Sequence, residues 1–236
     1  MQLLERQLSS NRLLVGLPRE EYERLTAGAE RVRLARGKIL VGAGERVEHA
    51  YFLLSGMASL LSVTESGRAV AVATVGNGAM IGLPAILCDG KSPYEVMVQL
   101  SGVALKVRAG VLKREFDREG RLHDLLLGHA LWLLTQISQS AACHRFHTVE
   151  ERLARWLLMT HDYAGADAFS LTQEFIAFML GAPRTSVSAL ASAMQEAGVI
   201  SYSRGRIRIL NRRALEAASC ECYHIVRRSA ARLTAA

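Results

Sequence analysis

Leu171-Thr172-Gln173-Glu174-Phe175-Ile176-Ala177-Phe178-Met179-Leu180-Gly181-Ala182-Pro183-Arg184-Thr185-Ser186-Val187-Ser188-Ala189-Leu190 reads as helix, tight turn, helix. Gly181 can take the left-handed conformation that stops a first helix, and Pro183 suits the first position of a second. Ser170 and Thr172 are both candidate N-caps for the first. Ile176, Leu180, Val187 and Leu190 fall where such a pair buries its facing sides. That leaves Arg184, Thr185, Ser186 and Ser188 mostly exposed at the start of the second helix, where side chains meet base edges when a helix enters the major groove.

Downstream, residues 199–210 form two short apolar-polar alternations around a glycine, a hairpin that reads as a wing. Arg204, Arg206 and Arg208, with Arg212 and Arg213, put five cations without an acid beside it, suited to neutralising phosphates. Thr172, Gln173 and Tyr202 join Arg204 and Arg206 as candidate DNA contacts. The charge distribution agrees. The formal net charge is +7. From Arg184 onward there are nine arginines, no lysine and three acids, so most of the excess sits at the C-terminal end.

Upstream the texture differs. Residues 19–30 carry helical spacing, with Tyr22, Leu25 and Ala29 on one face. From Val32 to Val107, short apolar runs at 38–41, 50–54, 58–63, 69–75 and 96–100 alternate with Gly42, Gly44-Glu45, Ser55-Gly56, Glu65-Ser66-Gly67 and Gly76-Asn77-Gly78. Such strand-turn spacing predicts an antiparallel β-roll of jelly-roll type. A helical piece at 111–116 then leads into a long helix from 121 to 147, and 150–161 is a further amphipathic helix before a loop at 163–167.

The long helix carries Leu122, His129, Gln136 and Cys143 at seven-residue intervals, with Leu125/Leu126 and Trp132/Leu133 beside them. Leu127, Leu131 and Leu134 occupy further faces, as expected if one side packs on the β-roll and another on a partner helix. We read it as a dimerisation helix with Leu126 and Leu133 in its seam; a central helix of a monomeric core is the alternative. The fold class is α+β, divided as 1–118, 119–147 and 148–236.

The composition, 50% hydrophobic and 22% charged, fits neither a disordered nor a membrane chain. The stretch 122–137 is broken by Asp124, Gly128, His129 and Gln136 and falls short of the ~20 residues that span a bilayer. The start, Met1-Gln2-Leu3-Leu4-Glu5, lacks the pattern of a signal peptide, so a cytoplasmic location is expected. Cys88, Cys143, Cys220 and Cys222 then read as free thiols. No Gly-x-Ser-x-Gly, phosphate-binding loop or His-Glu-x-x-His is present, and an enzyme is not expected.

The order of β-roll, long helix and winged helix-turn-helix resembles the Crp-Fnr superfamily of dimeric transcription regulators, from about residue 25 to 210. The specific elements are Tyr51-Phe52-Leu53-Leu54-Ser55-Gly56 after Gly44-Glu45, Gly78-Ala79-Met80-Ile81-Gly82, and the 171–200 unit. The resemblance implies a homodimer on palindromic double-stranded DNA, RNA polymerase as a partner, and a small-molecule effector acting where the β-roll meets the long helix. Three departures stand out. Cyclic-AMP receptors carry Arg-Glu and a second Arg on the recognition helix where this chain has Arg184, Thr185 and Ala189. Fnr-type members bind an iron-sulfur cluster through N-terminal cysteines, and the first 87 residues contain none. The phosphate-binding cassette replaces a Gly-Glu pair by Gly82-Leu83 and an Arg-Ser pair by Pro93-Tyr94, leaving Lys91 as the nearest cation.

Cyclic AMP is therefore not the expected effector. A more apolar pocket lined by Leu83, Pro84 and Tyr94, closed by Leu126, His129 and Leu133, is the candidate site. No cofactor is expected. Cys143 and His147, four residues apart, could hold a metal or haem across a dimer, but a packed interior pair is the preferred reading. If Cys220, Cys222 and His224 lie on one helix, Cys222 points away from the other two, poor geometry for one metal. The rival of another class is a cyclic-nucleotide-binding or scaffolding module without sequence-specific DNA recognition. A positioned arginine followed by a basic wing argues against it.

Overall fold

The computed structural model describes residues 11–87 and 89–232, so Cys88 lies outside the described residues. Six antiparallel strands build the β-roll: β1 (Glu30–Leu34), β2 (Ile39–Val41), β3 (His49–Val63), β4 (Ala69–Gly76), β5 (Met80–Ile81) and β6 (Glu95–Arg108). Their order is β1-β6-β3-β4, with β2 also on β6 and β5 on β3. Apolar faces of these strands enclose a core around Phe52, Leu53, Leu60, Val75, Val98 and Leu105.

Two expectations are corrected here. The helix expected over 19–30 runs only from Arg19 to Thr26, because Gly28 turns the chain at a positive φ and Glu30 already pairs with Lys106. The Ser55-Gly56 pair is no turn. β3 runs through it with register shifts on either side, and Gly56, at φ 85°, lies so close to β6 that a Cβ would stand 2.7 Å from the Leu100 carbonyl oxygen. Glycine here permits a bulge that bends the sheet rather than ending a strand.

A short helix, Arg12–Val15, is pinned by Asn11, whose buried side chain caps Leu13 and Leu14 and donates to the carbonyls of Leu53 and Ala79 at 2.9 and 2.8 Å. After Ala109–Phe116 the long helix runs Arg121–Phe146. Its free first amides are capped from a distance by the Glu21 carboxylate, which accepts from Arg121 and Leu122.

The long helix is fixed to the β-roll by two buried polar side chains. His129 donates from Nε2 to the Met80 carbonyl at 2.9 Å. The Gln136 amide accepts from the Thr74 N–H and donates to the Thr74 carbonyl, satisfying backbone groups of the edge strand β4. That orientation settles which face is free. Leu126 and Leu133, expected in a partner seam, are 0% and 5% exposed in the chain's own core. Leu127, Leu131 and Leu134 are 47%, 63% and 60% exposed instead.

The next helix, Val149–Ala164, opens on a capping box between Thr148 and Glu151 and ends at Gly165, so Tyr163 is helical and not part of a loop. A second core forms between it, the helix-turn-helix and the sheet residues Leu61, Met97 and Leu100. Across this junction a buried polar chain runs from Ser59 to Gln99 to Thr160, at 2.6 and 3.2 Å. β7 (Ala168–Ser170), β8 (Ile200–Ser203) and β9 (Arg206–Ile209) form a small sheet in the order β7-β9-β8. Helices Arg212–Ala217 and Cys222–Arg232 follow. No described helix is long and apolar enough to cross a membrane.

Candidate nucleic-acid interface

The first helix of the motif runs Gln173–Leu180 and the second Arg184–Glu196. Thr172, not Ser170, is the N-cap, its hydroxyl accepting from the Phe175 amide, because Ser170 belongs to β7. Gly181 closes the first helix in the left-handed conformation, φ 58°. Pro183 serves as the cap residue before the second helix, and Arg184 is its first helical residue. Ile176, Leu180 and Val187 are buried between the two, Leu190 packs at their edge, and Arg184 and Thr185 face outward.

Ser188 donates to the Gln173 side-chain oxygen at 2.5 Å, locking the two helices together, and the half-buried Ser186 lies beside the outward-facing pair. Among the described residues the Gln173 amide nitrogen has no acceptor, which leaves it as a donor. Tyr202 is also drawn inward: its hydroxyl donates to the Leu171 carbonyl at 3.1 Å and its backbone N–H to Gln195.

The wing turns through Arg204 and Gly205, both at positive φ, 48° and 72°. Paired positive values are those of the tight hairpin turn that matches strand twist, and Arg204 occupies the site Asn usually takes. The Gly205 carbonyl accepts from the Leu171 amide at 2.8 Å, tying the wing tip to the helix-turn-helix. Arg204, Arg206 and Arg208 are exposed, and among the described residues neither they nor Arg184 form an ion pair.

Arg212 does not belong with them. Its guanidinium bonds Asp162 at 2.7 Å, Glu216 at 3.1 Å and the Tyr223 hydroxyl at 2.7 Å, a knot joining three helices. The expected run of five free cations is thus reduced, since a phosphate would compete with two carboxylates for Arg212.

On the sensory side, Leu83, Pro84, Leu126 and Leu133 are buried core residues, with Tyr94 packed against the same core. Of the six expected pocket residues, His129 lines a cavity of about 720 Å³. Arg12, Arg121, Trp132, Asp162 and Tyr223 also line it, between the β-roll, the long helix and the C-terminal helix. Sequence reading missed this space because its walls come from segments over 200 residues apart. Lys91 is exposed on its turn, where it pairs with Arg46 as an isolated bridge. Cys143, His147, Cys220 and Cys222 converge. The helical argument against Cys220 with Cys222 fails because Cys220 precedes the last helix and is free of its geometry.

Residues 31–119 match the family model of the cyclic nucleotide-binding domain, and residues 151–218 that of the Crp-like helix-turn-helix domain. A comparison with curated proteins found no match. Among solved structures, one assigned to the Crp/Fnr family of transcriptional regulators from Eubacterium rectale is 17% identical, with a TM-score of 0.70 over 87% of this chain and 96% of that one. FixK2 from Bradyrhizobium japonicum is 19% identical, TM-score 0.68, over 81% and 98%. The c-di-GMP responsive global regulator CLP of Xanthomonas campestris is 15% identical, TM-score 0.66, over 81% and 99%. These likenesses show the fold, and the two family matches lie in the order in which the β-roll and the winged unit occur here. With a cyclic nucleotide-binding domain joined by a long helix to a Crp-like helix-turn-helix, the chain belongs to the Crp-Fnr superfamily of DNA-binding transcription regulators.

Proposed function

We propose that the chain acts as a cytoplasmic homodimer on palindromic operators, handing its signal to RNA polymerase, with an effector acting where the β-roll meets the long helix. In this reading 1–118 senses, 119–147 joins two copies, and 148–236 holds DNA. Arg184, Thr185 and Ser186 approach the bases, while Thr172, Gln173, Arg204 and Arg206 seat the motif on the phosphates; Ser188 and Tyr202, expected among the contacts, spend their hydroxyl protons on Gln173 and Leu171 and hold the motif in shape. The observation that carries it is Arg184: exposed in the first turn of a helix whose other face is buried, with no carboxylate partner among the described residues.

A planar guanidinium at that place can take guanine O6 and N7 together. Arg184→Ala is expected to cost about 2 kcal/mol on the preferred site and relax one position per half-site. Selection from a random DNA pool is the check; an unchanged consensus would refute the contact. Arg206→Ala should weaken specific and random DNA alike and make the salt dependence shallower by about one unit in log-log slope. A changed consensus with an intact slope would exclude a phosphate role.

Cyclic nucleotides do not fit the cassette. Leu83 stands where the ribose carboxylate would be and is buried, and a phosphate held away from water needs a paired cation. Calorimetry with cyclic AMP and cyclic GMP is expected to show no micromolar binding. Micromolar binding abolished by Lys91→Ala would reverse this. The 720 Å³ cavity beside His129 is the better effector site, its size within the range of small-molecule pockets.

A further inference from the structure

Four soft or borderline ligands meet at the end of the long helix. Cys143 lies in its last turn and His147 is its C-cap residue. Cys220 sits in the connection after the Arg212–Ala217 helix, and Cys222 is the first residue of the C-terminal helix. Their three sulfurs and the imidazole nitrogen all lie within 4.8 Å of one another. The Cys143 and Cys220 sulfurs are 3.6 Å apart, and Cys222 Sγ is 3.5 Å from His147 Nδ1.

Those spacings have a chemical meaning. Tetrahedral bonds of about 2.3 Å to sulfur and 2.0 Å to nitrogen put ligand atoms about 3.8 Å apart for two sulfurs and about 3.5 Å for sulfur and nitrogen. A disulfide needs about 2.05 Å. An iron-sulfur cluster would spread its thiolates over separate irons, wider than a set in which all four atoms are mutual neighbours.

We propose that Cys143, His147, Cys220 and Cys222 form a Cys3His site for one divalent ion of the zinc class, clasping the C-terminal helix to the end of the long helix.

The surroundings match such a site. His147 Nε2 lies 3.1 Å from the Glu221 carboxylate, which takes the ring N–H and leaves Nδ1 facing the sulfurs. A carboxylate behind a histidine ligand fixes both tautomer and orientation. Gln139 donates to Cys222 Sγ at 3.1 Å. Three thiolates and one divalent ion carry a net negative charge, and Arg155 and Arg152 stand beside them. Arg155 is buried, and among the described residues its Nε has no hydrogen-bond partner and neither arginine has a carboxylate partner.

The ligand pairs bracket the winged unit. His147 ends the helix that precedes it, and Cys220 and Cys222 follow it, so the ion closes residues 148–219 into one loop at the hinge between sensing and DNA-binding elements.

The test is cobalt substitution of the full-length reduced chain. Loading with Co²⁺ should give one equivalent per chain, strong thiolate-to-metal absorption and the intense visible bands of tetrahedral cobalt, all displaced by Zn²⁺. Cys220→Ser should abolish the thiolate-rich spectrum. Glu221→Ala touches no ligand sulfur and its side chain is exposed, so the fold is kept; cobalt affinity should fall about 10-fold or more. A folded wild-type chain that gives no cobalt absorption, or only the weak bands of an octahedral ion, overturns the proposal. So does a native Cys143–Cys220 disulfide, seen as an intact mass short by two hydrogens and restored by reductant, with the two cysteines recovered in one linked peptide after proteolysis.

Discussion

Leu134→Glu is expected to convert the protein to a folded monomer that no longer holds its operator. Leu134 is 60% exposed, on a stripe with Leu127 and Leu131 that continues through Ser138 and Ala141. These residues alternate by three and four, the spacing of a seam that meets a second helix. Placing glutamate there buries nothing within the chain, so thermal stability should change by no more than about 0.5 kcal/mol. In a dimer it sets two carboxylates against each other in an apolar contact. Losing the second half-site contact removes the gain from linked binding, about 10² to 10⁴-fold in affinity. Sedimentation and a titration of palindromic DNA read both effects. A Leu134→Glu dimer with intact operator affinity would exclude this seam.

Leu133→Glu, one residue earlier, has a different expected outcome. Leu133 is 5% exposed within the β-roll core, and an uncompensated charge there costs several kcal/mol, a large part of a domain's stability. Unfolding, not clean dissociation, is the expected result, and the pair of variants separates the two faces of one helix.

The sequence reading placed Leu126 and Leu133 in the partner seam, and the reason lies in the helix itself. Between Leu122 and Leu134 apolar residues occur on nearly every face, so periodicity alone cannot rank them. What orients the helix is long-range: Gln136 finds the backbone of Thr74, and His129 that of Met80. By contrast the helix-turn-helix was legible because its signals are local. Gly181, the Ala182-Pro183 turn and the spacing of Ile176, Leu180 and Val187 dictate the geometry within 20 residues. The wing was equally local, but the fate of Arg212 depended on Asp162, 50 residues away.

The same distinction explains the sensory end. Glycine marks turns and bulges alike, so Ser55-Gly56 could be separated from Glu65-Ser66-Gly67 only by what lay across the sheet. The Cys3His cluster joins residues 77 apart in the chain. It was hidden by the assumption that one helix carried Cys220 together with Cys222.

Acid is expected to weaken the junction through His129. Its imidazole is buried beside Trp132, with ring centroids 5.4 Å apart, and donates to Met80 just before the Gly82-Leu83 turn of the cassette. Burial pulls its pKa from 6.5 to about 4, against the smaller opposing effect of the Met80 carbonyl. The unfolded chain therefore takes up this proton as pH falls below 6.5, while the native ring stays neutral until about 4. More protons on the unfolded state means stability that is complete above pH 6.5 and declines as pH falls towards 4. Over the whole window the loss is about 3 kcal/mol, at about 1.4 kcal/mol per pH interval of one. His129→Gln keeps an N–H for Met80 and has no proton to gain. Carboxylates elsewhere titrate in both proteins, so the informative quantity is the difference between their urea midpoints at pH 7 and pH 4.5. Wild type should lose ground relative to the variant on going to the lower pH; a difference that stays constant would mean that the native imidazole carries its proton at neutral pH or is already open to solvent.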